Sequence, residues 1–253
     1  MFKFFEDLKY LLGWVKKPIL GKGEVSTMSL AKYQSFDKND VLPDSWWFDT
    51  RPFDCQQMLE KYKSSLATVN FNGQKLSDRL NALSKAYKIN AKIALLTLER
   101  EQSLVRESVD GMTKPVTYMM QRTDGKVVEV LSTAKQVRLD WACGFGVPDG
   151  VPRKEQYRGL DKQIDAMMMR YRDYSNEIDS GKWQLNAEMR VDADLQGKTH
   201  DVVYPVNKAT FSLYRYTPHV GAKTSPLYSK YQEYGAYLSW LICVKVFWKQ
   251  DFV

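Results

Sequence analysis

Two carboxylates, Glu99 and Glu101, lie at the end of a strongly apolar segment and are the side chains of this chain best suited to acid–base chemistry. The segment from Ile89 to Leu104 predicts a helix that is apolar on nearly every side, which is typical of a buried helix. A carboxylate carried into the interior by such a helix either forms a structural ion pair or works as a general acid with a raised pKa.

A helical wheel separates these two side chains by about 160°, so the helix cannot direct both into one site. The wheel predicts that Glu99 is solvated, because its sector is polar and charged. It predicts that Glu101 is desolvated, because its sector is mostly apolar. A structural ion pair and a catalytic role are equally compatible with Glu101 at this stage. The neighbours are Lys88, Lys92, Ser103 and Arg106 for Glu99, and Ala94, Thr97, Leu98 and Val105 for Glu101.

Composition restricts the other kinds of chemistry. The chain has 253 residues, 44% of them hydrophobic, which is enough for one sizeable core. The formal charge of +7 favours anionic partners. Because the basic residues are scattered rather than clustered, we expect no nucleic-acid partner. Three cysteines without metal-type spacing and two histidines predict no metal site, no cofactor and no disulfide framework.

Periodicity predicts a mainly helical α+β domain. Helices are expected over 54–65, over Leu76–Tyr87, in the segment with Glu101, over 155–178 and from Asn207 to Tyr216. An Asp-Gly turn between 117–122 and 127–131 predicts a β-hairpin, and a second hairpin is expected across Gln196-Gly197. The Met167-Met-Met169 run is interpreted as core packing, and the aromatic stretch 228–247 is expected to close the fold.

The N-terminal part is interpreted separately. Residues 1–18 predict a short amphipathic helix, and residues 19–45 are interpreted as a linker or a surface segment. We therefore divide the chain into an N-terminal helix with linker, 1–45, and a main domain, 46–253. The start lacks the pattern of a secretory signal, and no stretch is apolar enough to span a membrane. The helix is expected either to dock on the main domain or to contact a membrane surface or a partner protein. Its apolar side chains are Phe4, Phe5, Leu8, Leu11, Leu12 and Val15.

Three pieces of the chain, in order, resemble one superfamily. The apolar helix with Glu101, followed by Gln102-Ser-Leu104, resembles the helix that presents the catalytic glutamate of lytic transglycosylases and goose-type lysozymes, although Gln102 stands where serine is usual. The stretch 138–149, RLDWACGFGVPD, is similar to a loop of a bacterial and phage branch of cell-wall hydrolase-like proteins. The stretch 207–218, NKATFSLYRYTP, resembles a second motif of that branch. Together the pieces cover roughly residues 54–252.

The resemblance implies a lysozyme-like helical domain with small β-hairpin insertions and assigns roles to individual residues. Glu101 would be the catalytic acid, and Tyr214 would hydrogen-bond to it. Val147 stands where the branch often has cysteine, so a disulfide common there would be absent. Asp140 and Asp149 lie in the loop expected beside the cleft, and both also fit structural roles as cap or turn residues. The other expected substrate-binding residues are Gln102, Phe145, Gly146 and Tyr216, together with Asp149.

The activity implied is cleavage of the MurNAc–GlcNAc β-1,4 bond in the glycan strands of peptidoglycan. A single expected acid favours a lytic transglycosylase over a muramidase. A wall-degrading enzyme without an export signal is expected to be a phage endolysin or virion-associated lysin, made in the host cytoplasm. The main alternative is a catalytically inactive wall-binding or virion structural protein that keeps the fold.

Overall fold

The computed structural model describes residues 33, 35–147, 150–192, 200–221 and 234–248. The predicted N-terminal helix, the expected turn at Gln196-Gly197 and Asp149 lie outside these residues. The helices are α1 Asp44–Trp47, α2 Cys55–Lys61, α3 Leu76–Tyr87, α4 Ala91–Gln102, α5 Ala134–Asp140, α6 Leu160–Asp179, α7 Lys208–Tyr216 and α8 Gly235–Ile242. The strands are β1 Asn70–Phe71, β2 Gln74–Lys75, β3 Pro115–Gln121, β4 Val127–Thr133, β5 Arg153–Lys154, β6 Met189–Asp192 and β7 His200–Val203.

Helix α4 is the centre of the fold. It contacts α2, α3, α6 and α8, and every residue from Ile93 to Glu99 is buried. The Asn90 side chain caps its N-terminus by accepting from the N–H of Lys92 at 3.0 Å. A helix packed on several sides confirms the expectation of a buried helix.

A left-handed residue ends each of the two adjacent helices α3 and α4. Lys88 has φ 55° after α3, and Ser103 has φ 53° after α4. A left-handed C-terminal residue reverses the chain sharply, which joins α3 to α4 within three residues. At the far end of α4 the same geometry turns the chain back over the last helical turn.

The β structure forms small sheets around the helical body. Strands β3 and β4 pair antiparallel from Pro115↔Thr133 to Gln121↔Val127, around the predicted Asp-Gly turn. Strand β5 adds to β3 in parallel. Strands β6 and β7 pair antiparallel, as expected for the strands of the second predicted hairpin, and β1 pairs with β2. A small second core lies under β3, where Tyr118, Met120 and Trp141 are buried.

The remaining helices enclose α4. Helix α6 packs against α7 and α3, and Met167 and Met168 of the predicted core run are fully buried, whereas Met169 is 38% exposed. Helix α8 continues as a π-helix, Cys243–Phe247. Val41 and Leu42, which fall in the segment expected as a linker, are fully buried. The protein is therefore a mixed α+β fold, as predicted. Among the residues described, no helix is long and apolar enough to cross a membrane.

Candidate active site

The two carboxylates of α4 have environments opposite to those predicted. Glu99 is 1% exposed. Its Oε2 accepts from the backbone N–H groups of Val105 and Arg106, both at 3.0 Å, and its Oε1 accepts from Arg106 Nε at 2.6 Å. The side chain of Glu101 is 27% exposed. The prediction of a solvated Glu99 and a desolvated Glu101 is therefore wrong.

The reason lies in the end of the helix. The wheel extended α4 through Arg106, but the helix ends at Gln102 and Ser103 turns left-handed. The returning chain places the N–H groups of Val105 and Arg106 over the Glu99 carboxylate. Glu99 thus accepts hydrogen bonds from the backbone that reverses after α4. Glu101 lies at the partly open end of the helix.

A buried arginine holds one oxygen of Glu101. Arg100, whose side chain is 3% exposed, places Nε 2.9 Å and Nη2 2.8 Å from Glu101 Oε1. Its Nη1 donates to Ser239 Oγ of α8 at 3.0 Å, and Nη2 lies 3.5 Å from the Tyr171 hydroxyl of α6. Burial acts to lower the pKa of Arg100, but Tyr171 and Glu101 outweigh it and raise that pKa. The guanidinium is therefore a fixed cation that links three helices behind Glu101.

The second oxygen of Glu101 faces the loop that follows α5. Gly144 has φ +71°, and a β-carbon placed on it would lie 3.1 Å from Glu101 Oε2. Gly146 also has φ +71°, and a β-carbon there would lie 2.5 Å from Cδ2 of Tyr157. Both glycines are thus required by backbone conformation and by close approach. At Gly144 the loop presents backbone to the carboxylate.

Aromatic rings form a wall beside this loop. The Phe145 and Tyr157 rings are perpendicular at 4.6 Å between centroids. Tyr216 lies 6.5 Å from Phe145 and 4.7 Å from Tyr171. The Tyr216 hydroxyl donates to the Cys143 carbonyl at 2.7 Å, and burial raises its pKa well above the ordinary value. The Arg100 guanidinium lies 5.8 Å from the Tyr216 ring, which connects the wall to the Glu101 ion pair.

Tyr214 is not part of this group, so its predicted hydrogen bond to Glu101 is wrong. Its hydroxyl donates to the Lys38 carbonyl at 2.9 Å, and burial raises its pKa. Residues two apart on a helix point about 160° away from each other. Tyr216 therefore faces the site from α7, and Tyr214 faces the chain near Lys38.

The other predicted residues have mixed outcomes. Phe145, Gly146 and Tyr216 belong to the loop and wall described above, and their role in substrate binding stays a prediction. Gln102 is half-buried, and its carbonyl accepts from Arg138. Asp140 has the structural role favoured from the sequence: it is buried and accepts from Arg158 Nε at 2.7 Å. Asp149 lies outside the described residues.

Three residues of this site were missed from the sequence. Arg100 looks like a surface residue of a helix end, and Tyr157 and Gln163 carry no motif. Cys55, Cys143 and Cys243 are buried. Across the described ranges, no three His, Cys, Asp or Glu side chains group in a way that could hold a metal ion.

In comparisons with known proteins, no family model, curated protein or solved structure matches the chain significantly.

Proposed function

We propose that this protein is a peptidoglycan-degrading glycosidase in which Glu101 is the general acid and base. The observation that carries the proposal is the setting of Glu101: a partly exposed carboxylate at the end of a buried helix, with Oε2 against the Gly144 backbone. Glycoside cleavage needs a carboxyl group held rigidly at the scissile bond. The aromatic rings of Phe145 and Tyr216 lie in the wall beside this loop and can pack on sugar faces.

Each oxygen of Glu101 has a distinct part in the proposed reaction. Arg100 engages Oε1 only, so Oε2 is the atom that exchanges a proton with substrate. Protonated Oε2 donates to the glycosidic oxygen as the sugar takes on oxocarbenium character. In a lytic transglycosylase the same oxygen then removes the proton of the muramic acid 6-hydroxyl, which closes the 1,6-anhydro ring. In a muramidase, water attacks instead.

The net charge and the N-terminal segment support a proposal for where the enzyme acts and what it contacts. A charge of +7 attracts anionic wall polymers. We favour a phage endolysin or virion-associated lysin made in the host cytoplasm and acting on the wall. The amphipathic segment 1–18 would contact a membrane surface or a virion protein.

The first test compares Glu101→Gln with Glu60→Gln in zymograms and turbidity assays on purified peptidoglycan. Glu60 is an exposed glutamate on α2 that accepts from Gln56, and the amide oxygen of glutamine keeps that contact. Removing the acid should lower the rate by about 10²- to 10⁴-fold. Glu60→Gln should match the wild type. Full activity in Glu101→Gln would refute the mechanism.

The second test identifies the products by mass spectrometry. An anhydro end and a reducing end differ by one water, so digestion products separate the transglycosylase from the muramidase. We expect the anhydro product. A reducing end would keep the glycosidase and replace the proposed second step by hydrolysis.

A catalytically inactive wall-binding or virion protein is the second candidate, and the Arg100–Glu101 ion pair favours it. A carboxylate held by a buried guanidinium also fits a purely structural role. This candidate predicts that wild type and Glu101→Gln bind peptidoglycan equally in a pull-down assay, and that neither cleaves it.

A further inference from the structure

A buried glutamine of α6, Gln163, fastens the loop that faces Glu101. Gln163 is fully buried. Its Oε1 accepts from the N–H of Cys143 at 3.2 Å and from the N–H of Phe145 at 3.0 Å. Its Nε2 donates to the carbonyl of Phe145 at 2.8 Å and to the carbonyl of Tyr157 at 2.6 Å. One side-chain amide thus binds four backbone groups.

These four bonds join two of the chain segments that form the aromatic wall. Phe145 belongs to the loop after α5, whereas Tyr157 belongs to the turn before α6. Gly144, which approaches Glu101 Oε2, lies between Cys143 and Phe145, whose N–H groups donate to Gln163. Within the loop, the N–H of Gly144 donates to the Trp141 carbonyl and the N–H of Val147 donates to the Gly144 carbonyl. From outside it, the N–H of Lys154 donates to the Gly146 carbonyl and the Tyr216 hydroxyl donates to the Cys143 carbonyl.

We propose that Gln163 is a positioning residue of the candidate active site. Through backbone bonds it holds the Phe145 and Tyr157 rings and the Gly144 backbone at their places relative to Glu101. The inference rests on the proposed function, because it assigns the wall to substrate binding. Arg100 holds Glu101 from the other side, so loosening the loop should weaken substrate binding more than it impairs the carboxylate.

The test compares Gln163→Met, Gln163→Glu and a control, Ser175→Ala. Methionine has a similar length and removes all four bonds. Glutamate keeps the two acceptor positions and loses the two donors. Ser175 is also fully buried on α6, but it bonds to the Tyr171 carbonyl and Ser212 and not to the loop.

Two readouts separate a positioning role from a merely structural one. Amide hydrogen exchange at Cys143 and Phe145 should accelerate at least about tenfold in Gln163→Met. On soluble glycan strands the KM of that variant should rise on the order of tenfold, with a smaller change in kcat, because a shifted wall misplaces the substrate. Gln163→Glu, which sets a carboxylate oxygen against the carbonyls of Phe145 and Tyr157, should change both readouts in the same direction as Gln163→Met. Ser175→Ala should leave both readouts unchanged even where its Tm falls.

The outcomes also distinguish this inference from the proposed function. An active wild type with unchanged KM in Gln163→Met, or with no change in exchange, would overturn the positioning role alone. If the wild type is inactive, the proposed function fails. The positioning role is then tested by measuring glycan affinity by calorimetry. A loss of affinity of about tenfold in Gln163→Met would support the positioning role. Equal affinity, or no binding by the wild type, would overturn it.

Discussion

At the scale of single residues, the exchange of roles between Glu99 and Glu101 shows what a helical wheel can decide. The wheel correctly places the two side chains on opposite faces of α4. It cannot show that the chain reverses at Ser103 and covers the polar face with backbone donors. A helix end is therefore the place where a periodic pattern is least able to predict burial, because the partners come from outside the helix.

Glu99 is predicted to be a stability residue. It is the buried partner of Arg106, whose side chain is 17% exposed, and it receives two backbone N–H groups. Glu99→Gln removes the charge from a buried pair and should lower the free energy of unfolding by about 3 kcal/mol. Glu107→Gln is the control, because Glu107 is 37% exposed and pairs with Arg138 at 3.2 Å; it should change stability by less than about 1 kcal/mol. Urea unfolding measures both, and equal losses would contradict the assignment.

Gly144 is predicted to be required for activity because of its close approach to Glu101, in addition to its backbone conformation. Alanine there places a β-carbon 3.1 Å from Glu101 Oε2, so the loop or the carboxylate must move. The control is Gly125→Ala in the β3–β4 turn, where φ is +84° and nothing lies within 4 Å. Both variants should lose about 1–2 kcal/mol from left-handed strain. Only Gly144→Ala should also lower kcat/KM, by at least about tenfold. Equal kcat/KM in the two variants would show that the approach to Glu101 is irrelevant.

At the scale of elements, local patterns predicted more than they did for residues. Apolar spacing predicted α3 with its observed bounds, and the Asp-Gly signal predicted the β3–β4 turn. Helix α1 was missed, because four residues, Asp44–Trp47, are too few to show a period. The predicted helix over 155–178 begins instead at Leu160, after a short 3-10 turn over Glu155–Tyr157.

The junction between α3 and α4 supplies a prediction about an exposed element end. Lys88 is exposed and has φ 55°, a conformation that strains an L side chain and suits glycine. Lys88→Gly should therefore raise the free energy of unfolding by about 0.5–1 kcal/mol, net of the greater freedom of the unfolded chain. Lys85→Gly, inside the last turn of α3, should lower it by about 1 kcal/mol. Thermal unfolding of the two variants gives shifts of opposite sign; shifts of the same sign would disprove the strain at Lys88.

At the scale of the whole molecule, the site depends on contacts that no local pattern contains. Glu101 comes from α4, but Arg100 is fixed by Ser239 of α8, and the loop is fixed by Gln163 of α6. These partners lie far apart in sequence, so periodicity can place each one on its own helix and cannot pair them. The motif resemblance assigned the hydrogen bond with Glu101 to Tyr214, whose hydroxyl donates to the Lys38 carbonyl instead, because the resemblance carries no information on how α7 is rotated about its axis.

The core as a whole predicts how stability depends on alkaline pH. Burial raises the pKa of the Cys55 thiol from 9.0 to about 12, raises that of Cys143 well above 9.0, and raises that of the Tyr171 phenol above 10.0. Each group keeps its proton longer in the folded state, so the unfolded state binds fewer protons above pH 9. The contribution of these groups to the free energy of unfolding is fully present below pH 9 and is lost as pH rises towards 12. Urea unfolding in this range should show a steadily falling midpoint, accompanied by phenolate absorbance that appears only on unfolding for the buried tyrosines. A constant midpoint would show that water reaches this core.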